Sequence, residues 1–393
     1  LRWAAPDEPF YLKGRFEIAK KMYWNLRESG GTDRKGLDRP DEVRDVMNAV
    51  LAAWPDFETA KIYLGMKVPW GKDYSSGAGN IPKWAVLARE VLDRQSEVVR
   101  WWTRKQAPDG SMGGDQSYGD DVEMLRDWPA IALATDDDAI RESIRRIADG
   151  VYTHIAPGGY NKGIWDVQHS AEPTADPSFL AFIDYGAPET VERGFQYMEL
   201  FRDLFTGVNP NGHRHYKSIL MGADGVTETP PFACDTHYHV RATKPGLWAA
   251  WYSGLPSAMK LLTEWADAWH ADAMRTDRGK PKGVMPSAVA YADDRIGGYG
   301  PENDWRLTQS GYDYYDWNPG LTQLYDFMYA MWRMTGKDAY LDPMFLAPVP
   351  STAVTWRSYT GDRSHDDIIR DAGGPYGRFL ATGDITVVEK ALA

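Results

Sequence analysis

The chain has 393 residues, of which 43% are hydrophobic, so it can bury a substantial core in one large domain or in two to three ordinary ones. Its 56 acidic residues outnumber 44 basic ones, and the net charge of −12 argues against nucleic acid as the main partner because phosphate binding needs a positive face. No apolar run approaches the roughly 18 residues of a membrane span, and the single Cys234 excludes a disulfide framework and a cysteine-rich zinc site. The composition predicts a globular protein without a membrane or nucleic-acid partner, and it leaves the oligomeric state open.

Helical periodicity dominates the chain. From Pro40 to Trp54 apolar residues recur at steps of three and four, and the same pattern runs from Pro82 to Lys105. Further helices are predicted at residues 122–134, 137–152, 188–205, 245–269 and 321–334. Alternating strand-like segments are scarce, and the best of them, residues 284–291, predicts at most a small hairpin. The sequence therefore predicts an all-α fold with few short strands.

The joins between the predicted helices resemble one another. Turns at residues 134–137, 185–189, 335–338 and 382–384 each end one helix with small residues or glycine and begin the next with an acidic residue or proline. Between pairs lie long stretches rich in Gly, Pro and Tyr. Short loops on one rim and long loops on the other are typical of helical hairpins arranged in a ring. We predict a single domain over residues 1–393, an (α/α) toroid of about six hairpins that is truncated at its C-terminus, where a helix from Asp384 lacks a partner.

Histidines are concentrated in the middle of the chain. Six of the eight lie between residues 154 and 239, and four of these form the pairs His213-x-His215 and His237-x-His239. On extended segments the two rings of each pair point the same way and the adjoining tyrosines point oppositely. Histidine is the side chain most easily tuned to move protons near neutral pH. The predicted catalytic residues are His213, His215, Tyr216, His237, Tyr238, His239 and His169, the last oriented by Glu172 one helical turn away.

Polar and aromatic side chains in the long loops are the predicted substrate-binding residues. They are Asp120, Asp121, Tyr160, Asn161, Trp165, Glu172, Asn209, Asn211, Arg214, Arg241, Trp305 and Tyr315. Aromatic faces suit stacking on sugar rings, and Asn or Arg suits an anionic group. Capping of a helix is the competing role for Asp120 and Asp121, and core packing is the competing role for the aromatic residues.

A metal is the alternative use of the histidine pairs. Together with Asp235 they offer ligands for zinc or a similar ion, although His-x-His alone is a weak signal. Proton transfer by the side chains themselves needs no ion. We therefore expect no cofactor and leave a divalent metal such as zinc or calcium as the alternative.

Three features of the chain belong together: the short turns between helices, the loop from Gly113 to Glu123, and the loops that contain Asn, His and Tyr. In these features the chain resembles toroidal polysaccharide lyases that act on uronate-containing glycans, including ulvan lyases and heparinase-type lyases. The resemblance implies β-elimination from a polysaccharide or oligosaccharide. A Tyr or His removes the proton beside the uronate carboxylate, Asn, His or Arg neutralises that carboxylate, and Tyr or His protonates the leaving oxygen. We expect such an enzyme to be secreted or periplasmic.

Two other functions remain open at this point. A glycoside hydrolase would use two carboxylates, for which Asp120 or Asp121 with Glu172 or Asp304 are the available partners. Hydrolysis does not need so many histidines, which favours elimination. A sugar-binding protein without catalytic activity would depend on the aromatic residues between 299 and 317 and not on the histidines.

Overall fold

A computed structural model of the chain describes residues 10–28, 40–68, 79–114, 118–125, 128–312, 315–317 and 322–346. These residues are mostly helical with few short strands, which confirms the predicted mostly-α class. Within the described ranges, no helix combines the length and the apolar character that a membrane crossing requires. The described residues fall into two compact units, one made of those between 10 and 87 and the other of those between 88 and 346.

The first unit contains a small helical core. It is built from helices α1 (Tyr11–Glu28), α2 (Pro40–Ala53) and α3 (Glu58–Tyr63). The apolar stripe predicted from Pro40 is the buried face of α2 and packs against α1. Its buried residues are Val43, Val46, Met47 and Val50.

The helices continue as α4 (Lys83–Thr103), α5 (Gly119–Glu123), α6 (Trp128–Thr135), α7 (Asp138–His154), α8 (Val167–Ala175), α9 (Leu180–Ile183), α10 (Pro188–Leu200), α11 (His239–Ser253), α12 (Pro256–Met274), α13 (Thr322–Thr335) and α14 (Asp342–Leu346). The helix predicted from Pro82 to Lys105 is present as α4, but its apolar stripe is not buried, since Trp84, Leu87, Val91 and Val98 are at least 49% exposed. A π-helical turn, Phe201–Phe205, extends α10. In the second unit, α6 packs on α7 and α10 packs on α11.

Two joins show how the local sequence sets the helix ends. Asp137 caps α7, since its carboxylate accepts hydrogen bonds from the backbone N–H groups of Ala139 and Ile140. The prediction of one continuous helix over residues 245–269 is wrong, because two helices meet at residue 254. Gly254 ends α11 with φ of +62°, and Pro256 opens α12 at its first turn.

Short antiparallel strands occupy the long stretches between helices. They are β1 (Trp165–Asp166), β2 (Thr206–Val208), β3 (Arg214–Tyr216), β4 (Leu220–Gly222), β5 (Gly225–Val226), β6 (Cys234–Thr236) and β7 (Ala288–Ala290). Their sheet orders are β1-β4-β5, β2-β3 and β6-β7. The strand predicted near residue 288 pairs with distant β6, with Asp235 opposite Val289. Strand β6, which leads to the second histidine pair, also contacts β3, which carries His215 of the first pair.

Two cores support the second unit. Ile140, Ile144, Ile147 and Val151 form the fully buried stripe of α7. A larger core contains the two indole rings of Trp265 and Trp269 on α12, together with residues of α10, α11 and the short strands. The second core encloses the first of the two polar groups described next, which surrounds Asp235.

Candidate active site

Asp235 lies at the centre of a fully buried polar group. Its Oδ2 lies 3.0 Å from Nδ1 of His215 and accepts hydrogen bonds from the indole N–H groups of Trp265 at 2.7 Å and Trp269 at 3.1 Å. The backbone N–H of Tyr216 also donates to Oδ2. Burial raises the pKa of Asp235, but the neighbouring His215 and His239 rings outweigh it and lower the pKa to about 2. The Asp235 carboxylate therefore stays negatively charged inside the core at neutral pH.

His215 is the positive partner of this charge. Its Nε2 lies 3.2 Å from Oδ2 of Asp272, which is also fully buried. Burial lowers the pKa of His215, but Asp235 and Asp272 outweigh it and raise the pKa to about 10. A buried imidazole that keeps its proton at neutral pH is a poor general base for a polysaccharide.

Tyr216 and His239 are packed against each other inside the same core. Their rings stack with centroids 4.1 Å apart, and the Tyr216 hydroxyl forms hydrogen bonds with Tyr197 and Thr243. Burial raises the pKa of Tyr216 well above its usual value. His239 Nε2 lies 3.0 Å from the carbonyl oxygen of Ser218. The predicted catalytic residues Tyr216 and His239 thus lie close together but are shielded from solvent.

The second histidine pair does not form an extended segment, so that prediction is wrong. Strand β6 ends at Thr236, and His239 is already the first residue of α11. The chain turns at His237 and Tyr238, so the two histidines do not lie on one face of a strand. His237 is 2% exposed, and burial lowers its pKa to about 3. Tyr238 is half-buried, with its ring 5.3 Å from that of Tyr315.

His213 is the accessible member of the first pair. Its side chain is 35% exposed, and its Nδ1 lies 2.7 Å from Oδ2 of Asp294. Asn209 forms the turn before it: its side-chain oxygen accepts hydrogen bonds from the backbone N–H groups of Asn211 and His213, and its amide donates to Asp294. Asn209 is therefore buried in a structural turn, whereas Asn211 is exposed.

A second polar group surrounds Asp166 at the start of α8. Nδ1 of His169 lies 2.6 Å from Oδ2 of Asp166, and the Tyr315 hydroxyl donates to Oδ1 at 2.8 Å. The backbone N–H of Gln168 in turn donates to the Tyr315 hydroxyl. We call Asp166, His169, Gln168 and Tyr315 the Asp166 site. The predicted helical turn at His169 is confirmed, but Asp166 and not Glu172 contacts the ring.

The Asp166 site is open on one side and buried on the other. The His169 side chain is 57% exposed, and Trp165 of β1 is 60% exposed. Asp166 itself is buried. An imidazole fixed through Nδ1 and accessible elsewhere has the arrangement of a general base or acid whose second nitrogen meets the substrate.

Glu172 and Arg241 lie beside this site. Oε1 of Glu172 accepts hydrogen bonds from the Gln168 amide at 3.1 Å and from Arg241 at 3.4 Å. Arg241 also donates to Glu123 at 2.7 Å. Burial raises the pKa of Glu172, and Arg241 offsets only part of that effect. Arg241 is buried and already bound to two carboxylates, so the structure gives it the role of holding these elements together.

The other predicted binding residues are distributed over several environments. Asp121 is buried, and its carboxylate accepts hydrogen bonds from the backbone N–H groups of Met112 and Gly114, so it shapes the glycine-rich loop, while Asp120 is exposed. Asp304 forms an ion pair with Arg306, and Arg214 forms one with Glu264. Tyr160 and Trp305 are buried in the large core, and Asn161 is half-buried on the segment before β1.

Several residues of these groups were not among the sequence predictions. They are Asp166, Gln168, Trp265, Trp269, Asp272 and Asp294. One signal was available, because residues 265, 269 and 272 follow helical spacing and place two indoles and a carboxylate on one face of α12. Asp294 lies in a turn with φ of +56°, and its position depends on the β6–β7 pairing of distant segments.

Comparison with family models, with curated proteins and with solved structures found no match to this chain. The chemical roles of both polar groups must therefore be argued from their geometry. The Asp235 group is enclosed by the core, and the Asp166 site reaches the surface.

Proposed function

We propose that this chain is a polysaccharide lyase that cleaves a uronate-containing polysaccharide by β-elimination, with His169 removing the proton. The observation that carries the proposal is the Asp166–His169 pair, in which a buried carboxylate lies 2.6 Å from Nδ1 of a mostly exposed imidazole. Such a carboxylate fixes the orientation and the tautomer of the ring, so that Nε2 faces the substrate as the proton acceptor. Four predicted catalytic residues, His215, Tyr216, His237 and His239, are buried and have no direct part in the proposed proton transfer.

The neighbours of His169 suit a sugar substrate. Trp165 offers an exposed indole face on which a sugar ring can stack. The Gln168 amide and the half-buried Asn161 lie on the same segment and supply neutral donors for a uronate carboxylate, whose negative charge grows as the adjacent carbon loses its proton. Tyr238, whose ring contacts Tyr315, is our candidate for protonating the leaving oxygen.

The proposal includes the architecture and the location implied by the resemblance. We propose that the helices form one (α/α) toroid of about six hairpins with the histidine-bearing loops on one rim. The direct packing of α6 on α7, which a short turn joins, supports hairpins as the repeating unit. Action on an external polysaccharide implies a secreted or periplasmic protein.

The test is a screen of uronate polysaccharides with the purified full chain while near-ultraviolet absorbance is recorded. Elimination creates an unsaturated uronate that absorbs there. His169→Gln should lower kcat about 100-fold or more, as expected when a positioned acid–base group is removed. His154→Gln, which changes an exposed histidine on α7, is the matched control and should retain activity. Turnover by His169→Gln at the wild-type rate would refute the role of His169.

Glycoside hydrolysis is the second candidate, and the environment of Glu172 favours it. Burial raises the pKa of this carboxyl, as a general acid requires, and Glu123 shares Arg241 with it as a second carboxylate. Hydrolysis would release new reducing ends without the near-ultraviolet absorbance. In that case Glu172→Gln should abolish turnover and His169→Gln should not.

A further inference from the structure

Three side chains near the start of β3 bring ligand atoms into one small volume. They belong to His213, His215 and Asp294, and one nitrogen or oxygen atom of each lies within 4.8 Å of the others. His215 and Asp294 are buried, and His213 is half-buried. The two histidines come from one short segment, and Asp294 comes from the turn after β7. Such a cluster offers two imidazoles and one carboxylate to an ion.

Two buried atoms beside this cluster lack hydrogen bonds. They are Nε2 of His215 and Oδ2 of Asp272, which have no such partner within the described part of the chain. The two atoms are only 3.2 Å apart, so the carboxylate oxygen lies off the direction in which a ring N–H would donate. Unsatisfied buried polar atoms cost free energy, and an ion between them would satisfy both.

The distances fit a small divalent ion. Two ligands at 2.0–2.2 Å from a tetrahedral ion lie about 3.4 Å apart. Nδ1 of His213 lies 2.7 Å from Asp294 Oδ2, and Nε2 of His215 lies 3.8 Å from Asp294 Oδ1. To reach about 3.4 Å, the first distance must lengthen by about 0.7 Å and the second must shorten by about 0.4 Å, which rotations of the side chains can provide.

The surroundings provide the outer contacts that metal ligands usually have. His215 reaches Asp235 through its other nitrogen, at 3.0 Å, so a carboxylate–histidine pair already orients Nε2. The Asn209 amide donates to Asp294, and Arg275 donates to Oδ1 of Asp272 at 3.0 Å.

We propose that His213, His215 and Asp294 bind a divalent transition-metal ion, with Asp272 as the fourth ligand through Oδ2. The ligand set differs from the two His-x-His pairs with Asp235, since His237 and His239 turn away and Asp235 contacts His215 from behind. The ion joins the β2–β3 hairpin to α12 and to the turn after β7. This site is independent of the proposed lyase activity.

The experiment uses the purified full chain, treated with a chelator, dialysed and titrated with zinc sulfate in a calorimeter. We expect one zinc ion per chain and a higher thermal midpoint with zinc. Removing an outer-shell partner commonly costs 10–100-fold in affinity, so loss of a ligand in His213→Gln should weaken binding by about 100-fold or more. His213 is chosen because it is half-buried and its replacement spares the core.

Two further arms keep the result decisive. His270→Gln is the control, because His270 forms a comparable histidine–carboxylate pair with Asp342. This variant should bind zinc with the affinity of the wild type. Cobalt(II) bound at the site should give the visible absorption of tetrahedral coordination, and Asp294→Asn should remove it while the far-ultraviolet circular dichroism is retained. Absence of stoichiometric zinc uptake by the chelated wild type would overturn the proposal. Equal affinity of His213→Gln and wild type would overturn it as well.

Discussion

Oδ2 of Asp235 lies 3.0 Å from Nδ1 of His215, and neither side chain has any exposed surface. The same oxygen accepts hydrogen bonds from two indoles, so one carboxylate orients three rings. Because the indoles belong to α12 and the imidazole to β3, this contact fixes the position of the hairpin against the helix. The Asp235 group therefore has a structural role, because it holds β3 against α12.

Asp235→Asn should destabilise the protein strongly. Asparagine is neutral, so the variant loses one of the two buried carboxylates that neutralise His215 and leaves only Asp272 beside the imidazolium. Breaking a buried ion pair from one side costs about 3–5 kcal/mol in the free energy of unfolding. Urea denaturation followed by fluorescence of the buried indoles measures this change.

The control is Asp342→Asn, which breaks the more exposed pair with His270. A surface pair contributes about 0–1 kcal/mol, so its midpoint should stay near that of the wild type. If both variants unfold at the same urea concentration, the buried Asp235–His215 pair contributes no more to the free energy of unfolding than the more exposed pair does.

Helix periodicity predicted most of the fold because apolar spacing is a local property. The stripe of α7 and the cap at Asp137 were both visible in the sequence. The break at Gly254 was missed because residues on both sides of it are apolar at helical spacing. Strand β7 was recognised, but its partner was not, since pairing with β6 joins segments more than 50 residues apart.

The candidate site was predictable in composition and not in accessibility. The sequence located His169, His213 and Tyr238, yet it gave equal weight to His215 and His239, which are fully buried. Whether a loop residue is buried depends on which helices pack over the loop. The sequence of the loop itself does not predict which helices these are. Asp166 and Asp294 were missed because a lone aspartate in a turn has many ordinary roles.

Ile144→Asp should unfold the protein. Ile144 is fully buried in the stripe of α7, and an unpaired carboxylate there costs several kcal/mol, a large part of the stability of a typical domain. Leu133→Asp on α6 is the control, because this side chain is 50% exposed and its replacement should change the free energy of unfolding by about 0.5 kcal/mol or less. Circular dichroism at 25 °C and thermal melts distinguish the two variants. A folded Ile144→Asp protein would contradict the position of this core.

His237 should make the protein sensitive to acid. Its pKa falls from 6.5 to about 3 because the folded chain buries it, so the unfolded chain binds the proton first as the pH is lowered. Its contribution to stability is complete above pH 6.5 and is lost as the pH falls from 6.5 towards 3. One such group changes the free energy of unfolding by about 1.4 kcal/mol per pH unit in this window.

Urea midpoints of the wild type and of His237→Gln, measured at a series of pH values, isolate that contribution. The variant should show the smaller slope below pH 6.5, and His154→Gln, with its exposed ring, should keep the wild-type slope. Parallel curves for His237→Gln and wild type would mean that His237 is not protected from protonation.

Glu172 should have the opposite dependence on pH. Burial raises the pKa of this carboxyl above the ordinary 4.5, so the folded chain holds the proton more tightly than the unfolded chain does. Its favourable contribution is complete below pH 4.5 and is lost as the pH rises through the raised value. Glu172→Gln resembles the protonated form and should be more stable than the wild type at pH 7, with a difference that vanishes below pH 4.5. The control is Glu199→Gln, an exposed change on α10, which should leave the urea midpoint unchanged at both pH values. If Glu172→Gln is less stable than the wild type at pH 7, the contact of Glu172 with Arg241 outweighs the cost of burying the carboxylate.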